Sequence, residues 1–178
     1  MSEVVVNPLI TEEQLRDRME SLAKEIAAGV EKEVMVISLL KGSFMFTADL
    51  IRALHKAGVR AQMDFMTLSS YGEGTESSGK VIMKSPLTEE ITDKDVLVVD
   101  DILESGRTLQ FAKKELKRLG AKSVKVAVLL EKPGKLAVDM EADFIGFTIP
   151  DKFVVGYGLD HANYYRELPY VGVVANAV

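Results

Sequence analysis

Val96-Leu97-Val98-Val99-Asp100-Asp101-Ile102-Leu103-Glu104-Ser105-Gly106-Arg107-Thr108 is the stretch on which the fold turns. Four consecutive apolar residues predict a strand over 95–101 that is buried on both faces, as in a parallel sheet. Two adjacent carboxylates, Asp100 and Asp101, stand at its end. A turn of small polar residues follows. From Gly106 to Leu119 the pattern is helical, with Leu109, Ala112, Leu116 and Leu119 on one face and Gly120 as the stop. Strand, small-residue turn and helix N-terminus in that order make an anion site, because free amides point outward and the helix dipole favours negative charge. The Ser105 and Thr108 hydroxyls add donors. Two acids beside an anion cradle suit a phosphorylated sugar, whose hydroxyls donate to carboxylates directly or through Mg2+ and its waters. The same spacing also reads as a plain loop whose acids cap a helix.

Working outward, the flanking segments repeat this alternation. Thr11-Glu12-Glu13-Gln14 has the capping-box pattern, followed by apolar residues at Leu15, Met19, Leu22, Ala23 and Ile26 and closed by Gly29. Val34–Leu40 reads as a buried strand, Lys41-Gly42-Ser43 as a turn, and the chain onward to Ala57 as a helix stopped by Gly58. Ala61–Leu68, Val81–Lys84, Val124–Leu130 and Phe144–Ile149 read as further strands. Strands alternating with helices predict a mostly parallel α/β sheet with right-handed crossovers. Two strands without a helix between residues 61 and 85 predict an antiparallel portion. Between them Ser69–Lys80 carries three glycines, four serines and no aliphatic residue, the composition of a mobile lid. In such sheets the ligand crevice lies beyond the carboxyl ends of the strands.

Bulk composition narrows the classes. The 178 residues have 47% hydrophobic and 28% charged content, a globular balance sufficient for one core. A net charge of −5, with Lys and Arg dispersed, leaves no basic face for duplex nucleic acid. With no cysteine, disulfides, thiolate catalysis and Cys-bound zinc are excluded. Apolar runs such as Val124–Leu130 are too short to span a bilayer, and Met1–Val6 lacks the basic start of a signal peptide, so a cytoplasmic location is expected. His55 and His161 read as solvated, and the scattered methionines as core filling. No G-x-G-x-x-G follows a predicted strand and no G-x-x-x-x-G-K-[ST] occurs, which argues against dinucleotide or NTP chemistry.

The 96–108 stretch resembles the phosphoribosyl pyrophosphate motif of type I phosphoribosyltransferases. Four other stretches are similar to the hypoxanthine-guanine branch of that family. They are Leu39-Leu40-Lys41-Gly42-Ser43-Phe44, Ser69-Ser70-Tyr71-Gly72, Leu130-Glu131-Lys132-Pro133 and Ile149-Pro150-Asp151-Lys152-Phe153-Val154-Val155-Gly156-Tyr157-Gly158-Leu159-Asp160. They stand in family order over roughly residues 5–174.

The resemblance implies one domain over 1–178, with a lid at about 69–80 and a base-recognition hood from about 132 and 150–170. It implies that Asp100 and Asp101 face the ribose hydroxyls while Glu104, Ser105, Gly106, Arg107 and Thr108 wrap the 5-phosphate. Leu40, Lys41, Gly42 and Arg166 meet pyrophosphate, and in the family the bond before the lysine can be cis. Lys132 donates to the purine O6, Phe153 stacks on the base, the Val154 backbone reads its edge, and Asp160 completes that side. Asp100, Asp101 and Asp160 are the implied Mg2+ ligands, and Ser70 and Tyr71 belong to the lid. The family usually has aspartate where this chain has Glu104; the longer carboxylate is expected to act as general base toward N7. The implied reaction makes IMP or GMP from phosphoribosyl pyrophosphate and hypoxanthine or guanine, in a homodimer or homotetramer. Other readings are an RNA-binding regulator on the same scaffold, a non-catalytic nucleotide-binding module, and a transferase that prefers xanthine or adenine. Lys132 opposes adenine, because an ammonium donates and cannot accept.

Overall fold

A computed structural model describes residues 6–71 and 80–175. The elements run β1 (Val6–Ile10), α1 (Glu12–Gly29), β2 (Glu33–Leu40), α2 (Phe44–Lys56), β3 (Arg60–Tyr71), β4 (Lys80–Ser85) and β5 (Asp95–Leu103). They continue with α3 (Arg107–Arg118), β6 (Ser123–Glu131), β7 (Phe144–Thr148), β8 (Val154–Val155) and β9 (Val171–Val174). The expected capping box forms: the Gln14 amide donates to Thr11 Oγ1 at 3.2 Å, and the Thr11 amide to Gln14 Oε1 at 2.9 Å. The expected central sheet is present, in the order β4-β3-β2-β5-β6-β7. Its pairs are parallel except β3 with β4, which is the antiparallel portion foreseen between residues 61 and 85.

Chain order reverses between β2 and β5. From β2 the chain moves to β3 on one side, and from β5 to β6 and β7 on the other. The gap beyond the carboxyl ends of β2 and β5 is therefore the switch point, where a ligand crevice opens. Both faces of the sheet are covered. Val34 and Val36 of β2, with Leu97 and Val99 of β5, pack on α1 and α2 through Leu22, Ile26, Phe46 and Leu50. The alternate residues Met35, Ile37, Val96 and Val98 pack on α3 through Leu109, Ala112 and Leu116. Period-two alternation across two apolar faces explains the near-continuous hydrophobic runs.

Three features differ from the sequence expectations. β5 continues to Leu103, so Asp100 and Asp101 lie inside the strand and not at its end. Pairing of Ile102 with Leu130 and Leu103 with Glu131 of β6 carries the ladder past the acids. Ser69–Tyr71 and Lys80, placed in the lid, are strand residues paired across the β3–β4 hairpin; residues 72–79 and the side chains of Ser70 and Tyr71 lie outside the described residues. A second sheet, β1-β9-β8, joins segments near the two ends of the chain for which no strand was predicted. Its strands of 5, 2 and 4 residues are too short to show a period. Among the described residues no helix is long and apolar enough to cross a membrane.

Asp64 of β3 is a buried charge with a structural task. Its carboxylate accepts from the amides of Thr88 at 2.6 Å, Glu89 at 3.0 Å and Phe65 at 2.7 Å, pinning the β4–β5 connection to the sheet. Burial alone would raise its pKa; the hydrogen bonds from Glu89, Phe65 and Thr88 outweigh it and hold the carboxyl below its usual range. A depressed folded-state pKa contributes stability above the unfolded value near 3.9, lost as pH falls through the folded value. Asp64→Ala is expected to cost about 2 kcal/mol at pH 7, or roughly 4–8 °C in Tm. The difference from wild type should shrink only below about pH 4. Thermal melts from pH 7 to pH 3 check this; a pH-independent gap would refute the ionic account.

Candidate active site

The crevice at the switch point has a volume of about 370 Å³. It is lined by Leu40, Lys41 and Gly42 after β2, Asp100, Asp101, Glu104, Ser105, Gly106 and Thr108 along β5 and the start of α3, and Asp160 and Arg166 from the loop before β9. A second hollow of about 400 Å³ lies at the opposite, amino ends of β2, β3 and β5. There Arg60 pairs with Glu33 at 2.8 Å and Lys94 donates to the Gln62 side-chain oxygen at 2.8 Å. Of these two, the first sets the turn before α3 beside convergent ionisable groups.

Its floor is the pair of adjacent acids. Asp100 is 8% exposed, and its carboxylate accepts from the Asp101 amide at 2.9 Å. Burial pushes the Asp100 carboxyl well above its ordinary range, and the Asp101 charge pushes it further. Burial also raises Asp101, though hydrogen bonds from its surroundings and the Arg166 charge pull it partly back. Two carboxylates withdrawn from water at this cost leave a demand for cationic or hydrogen-bond-donating partners.

Against this floor rests the loop after β2. Its Leu40–Lys41 peptide bond is cis. A Cβ on Gly42 would lie 1.6 Å from Asp101 Oδ2, and a Cβ on Gly158 would lie 2.2 Å from the Gly42 carbonyl oxygen. The loop is thus clamped between β5 and the segment after β8, at a distance only glycine permits. Arg166 donates to the Gly158 carbonyl at 2.7 Å and pairs with Asp160 at 2.8 Å.

The turn 104–106 leads into α3. Gly106 has φ +77°, and its alpha carbon backs onto Met140, with no room for a side chain. The Ser105 carbonyl accepts from the Ala137 amide at 2.9 Å, and Ser105 Oγ accepts from the Arg107 amide at 3.4 Å. The remaining amides at the helix start are left for a ligand.

One wall carries an ion-pair string. Lys132, 7% exposed, has Nζ 3.5 Å from Glu104 Oε2 and 3.9 Å from Asp151 Oδ1, and Lys135 lies 2.5 Å from Asp151. The Lys132 amide donates to the Leu103 carbonyl at 3.0 Å, which anchors the lysine beside the acids. Phe153 is 43% exposed, with its ring edge-on to His161 at a centroid distance of 5.5 Å, so that histidine is not merely solvated. Val154 is buried at the start of β8.

The expected residues do not all converge. Arg107 heads α3 without lining the crevice. Lys132 reaches it only through Glu104. Asp160 lines the crevice with Asp100 and Asp101 but is paired here with Arg166 and accepts from the Asn163 amide at 2.7 Å; among the described residues no three acidic or imidazole groups converge on one point. The sequence reading gave no role to Asp151, Gly158, or the buried Ser38, Ser43 and Thr47. Ser38 left a signal, as the one hydroxyl within the apolar run Val34–Leu40. Gly158 left none.

Comparison with known proteins matches residues 10–162 to the phosphoribosyl transferase domain. The hypoxanthine-guanine phosphoribosyltransferase of Bacillus subtilis is 42% identical over 171 residues, 96% of this chain and 93% of that protein. The chain belongs to the phosphoribosyltransferase family. A crystal structure of a hypoxanthine-guanine phosphoribosyltransferase from Bacillus anthracis superposes with a TM-score of 0.89 at 44% identity, covering 97% of this chain and 99% of that one. The chain also matches the bifunctional TilS/HprT protein of Listeria monocytogenes at 43% identity, but spans only 25% of its length.

Proposed function

We propose that the chain transfers the 5-phosphoribosyl group of phosphoribosyl pyrophosphate to N9 of hypoxanthine or guanine, forming IMP or GMP and pyrophosphate in purine salvage. The observation that carries this reading is one crevice holding three things: the pair of a buried Asp100 and a half-buried Asp101, the amide turn at the head of α3, and the Gly42 loop with Arg166 opposite. The 5-phosphate would take the amides of Ser105, Gly106 and Thr108 and the hydroxyls of Ser105 and Thr108. The ribose diol would donate to Asp100 and Asp101. Lys41 and Arg166 would face pyrophosphate, Arg166 being aimed by Asp160 and the Gly158 carbonyl.

The donor set also fits Mg2+: hard, anionic oxygens, fewer than a closed cage needs, beside substrate phosphates that supply the rest. Asp100 and Asp101 would hold the ion, and bound there it would neutralise charge on the departing pyrophosphate. N9 forms its bond to C1 of the ribose as the bond from C1 to pyrophosphate breaks, its electron pair leaving with the pyrophosphate. The proton on N7 passes to Glu104. Lys132 donates to O6, and its spacing of 3.5 Å from Glu104 suits a base edge that presents an acceptor beside an N–H. Phe153, exposed beside this wall, would stack on the ring, with the Val154 backbone at its edge. Residues 69–80, including Ser70 and Tyr71, would cover the site and exclude water from a cationic ribosyl centre. The protein would act as a cytoplasmic homodimer or homotetramer.

A direct test mixes the protein with Mg2+, phosphoribosyl pyrophosphate and each of hypoxanthine, guanine, xanthine and adenine. IMP and GMP should form, adenine should give at least about 10³-fold lower kcat/KM, and chelation should stop turnover. AMP as the main product would reverse the roles given to Lys132 and Glu104.

A further inference from the structure

Three hydroxyls with no exposed surface, Ser38, Ser43 and Thr47, lie where β2 passes into α2. Ser43 Oγ donates to the Leu39 carbonyl at 2.5 Å. Ser38 Oγ lies 2.7 Å from Ser43 Oγ and 2.8 Å from Thr47 Oγ1. Each hydroxyl has one proton to give. Ser43 spends its proton on the carbonyl, so it accepts from Ser38. Ser38 has then given its own and accepts from Thr47. The hydrogen bonds run one way, from Thr47 through Ser38 and Ser43 to the carbonyl directly before Leu40-Lys41-Gly42. Each bond polarises the next.

Ser38 shares the α2-facing side of β2 with Val34 and Val36, where an apolar side chain would pack without any hydrogen-bonding requirement. A buried hydroxyl costs free energy unless fully paired. This network ties the last turn of a strand to the first turn of a helix across the very residues that form the loop. The loop has little room to drift, since Gly42 is wedged between Asp101 and Gly158 at distances that exclude a methyl group.

We propose that the Thr47–Ser38–Ser43 hydroxyl chain is the positioning device of the Leu40–Gly42 loop, and that it tunes affinity for the pyrophosphate part of the substrate. The three are positioning residues and touch no substrate. The inference rests on the reading of that loop as the pyrophosphate site.

Steady-state kinetics with each substrate varied in turn test it, on Ser43→Ala, Ser38→Ala, Thr47→Val and Thr47→Ser, with Lys41→Met alongside. Thr47→Val keeps shape and loses the hydroxyl; Thr47→Ser keeps the hydroxyl. KM for phosphoribosyl pyrophosphate should rise about ten-fold in Ser43→Ala, less in Ser38→Ala and least in Thr47→Val. KM for hypoxanthine should stay within about two-fold, and Thr47→Ser should behave as wild type. If both KM values move together in step with Tm, or Thr47→Ser is no better than Thr47→Val, the hydroxyl chain is only structural and the proposal is overturned. Should Ser43→Ala not fold, the Thr47 pair decides alone. Lys41→Met separates the two layers. An unchanged KM for phosphoribosyl pyrophosphate there overturns the loop assignment and this inference with it. A raised value there, beside an unchanged one in Ser43→Ala, overturns this inference alone.

Discussion

Gly42→Ala is expected to lower kcat/KM for phosphoribosyl pyrophosphate by about 10²–10³-fold while the protein stays folded. The added methyl would sit 1.6 Å from Asp101 Oδ2 and 2.6 Å from its Cγ. No heavy-atom contact survives at that distance, so something must move. The loop cannot simply lift, because on its other side the Gly42 carbonyl presses the alpha carbon of Gly158. The backbone of Asp101 is held in β5, so its side chain must swing. That removes the carboxylate from the place where ribose and Mg2+ would meet it. A misplacement of about 1 Å suffices for a loss of this size. Circular dichroism and Tm would confirm the fold, and kinetics with each substrate would read the effect. Near-normal turnover in Gly42→Ala would mean that Asp101 has no part in binding the sugar.

Glu104→Gln is the second large effect, an expected fall in kcat of about 10²–10³-fold with KM for phosphoribosyl pyrophosphate little changed. Glutamine matches glutamate in shape but cannot take a proton at neutral pH. The carboxylate lies 3.5 Å from Lys132, and the substitution removes its basicity while keeping the length of its arm. Glu104→Asp should recover most of the activity, since it restores the carboxylate on a shorter arm. Rapid-quench measurement of the chemical step separates this from slow product release. Turnover by Glu104→Gln at most of the wild-type rate would remove proton transfer to this residue from the mechanism.

These two positions differ in how openly the sequence declares them. Glu104 stands in a stretch whose residue types announce their chemistry: apolar strand, paired acids, small turn, helix. Gly42 looks like any helix-entry glycine. Its importance comes from Asp101, 59 positions away along the chain (101 − 42) and brought close by β2 pairing with β5. Lys132 takes its expected role from the family resemblance, and its burial comes from the turn of Glu104 and the loop of Asp151 closing on it. Asp160 takes its metal role from family position alone; what the fold adds is its pairing with Arg166 and the Asn163 amide on the wall of the same crevice.

Local pattern, then, was enough for the helices, the strands of the large sheet and the anion turn, because each depends on the periodicity or caps of neighbouring residues. It pointed to the carboxyl ends of the strands, but which two strands flank the crevice came only from the observed order β4-β3-β2-β5-β6-β7. The β1-β9-β8 sheet, the clamp on Gly42 and the hydroxyl chain under it were beyond reach. The sheet and the clamp are contacts between residues far apart in sequence; the hydroxyl chain spans only residues 38–47, but which hydroxyls meet depends on how α2 folds back on β2.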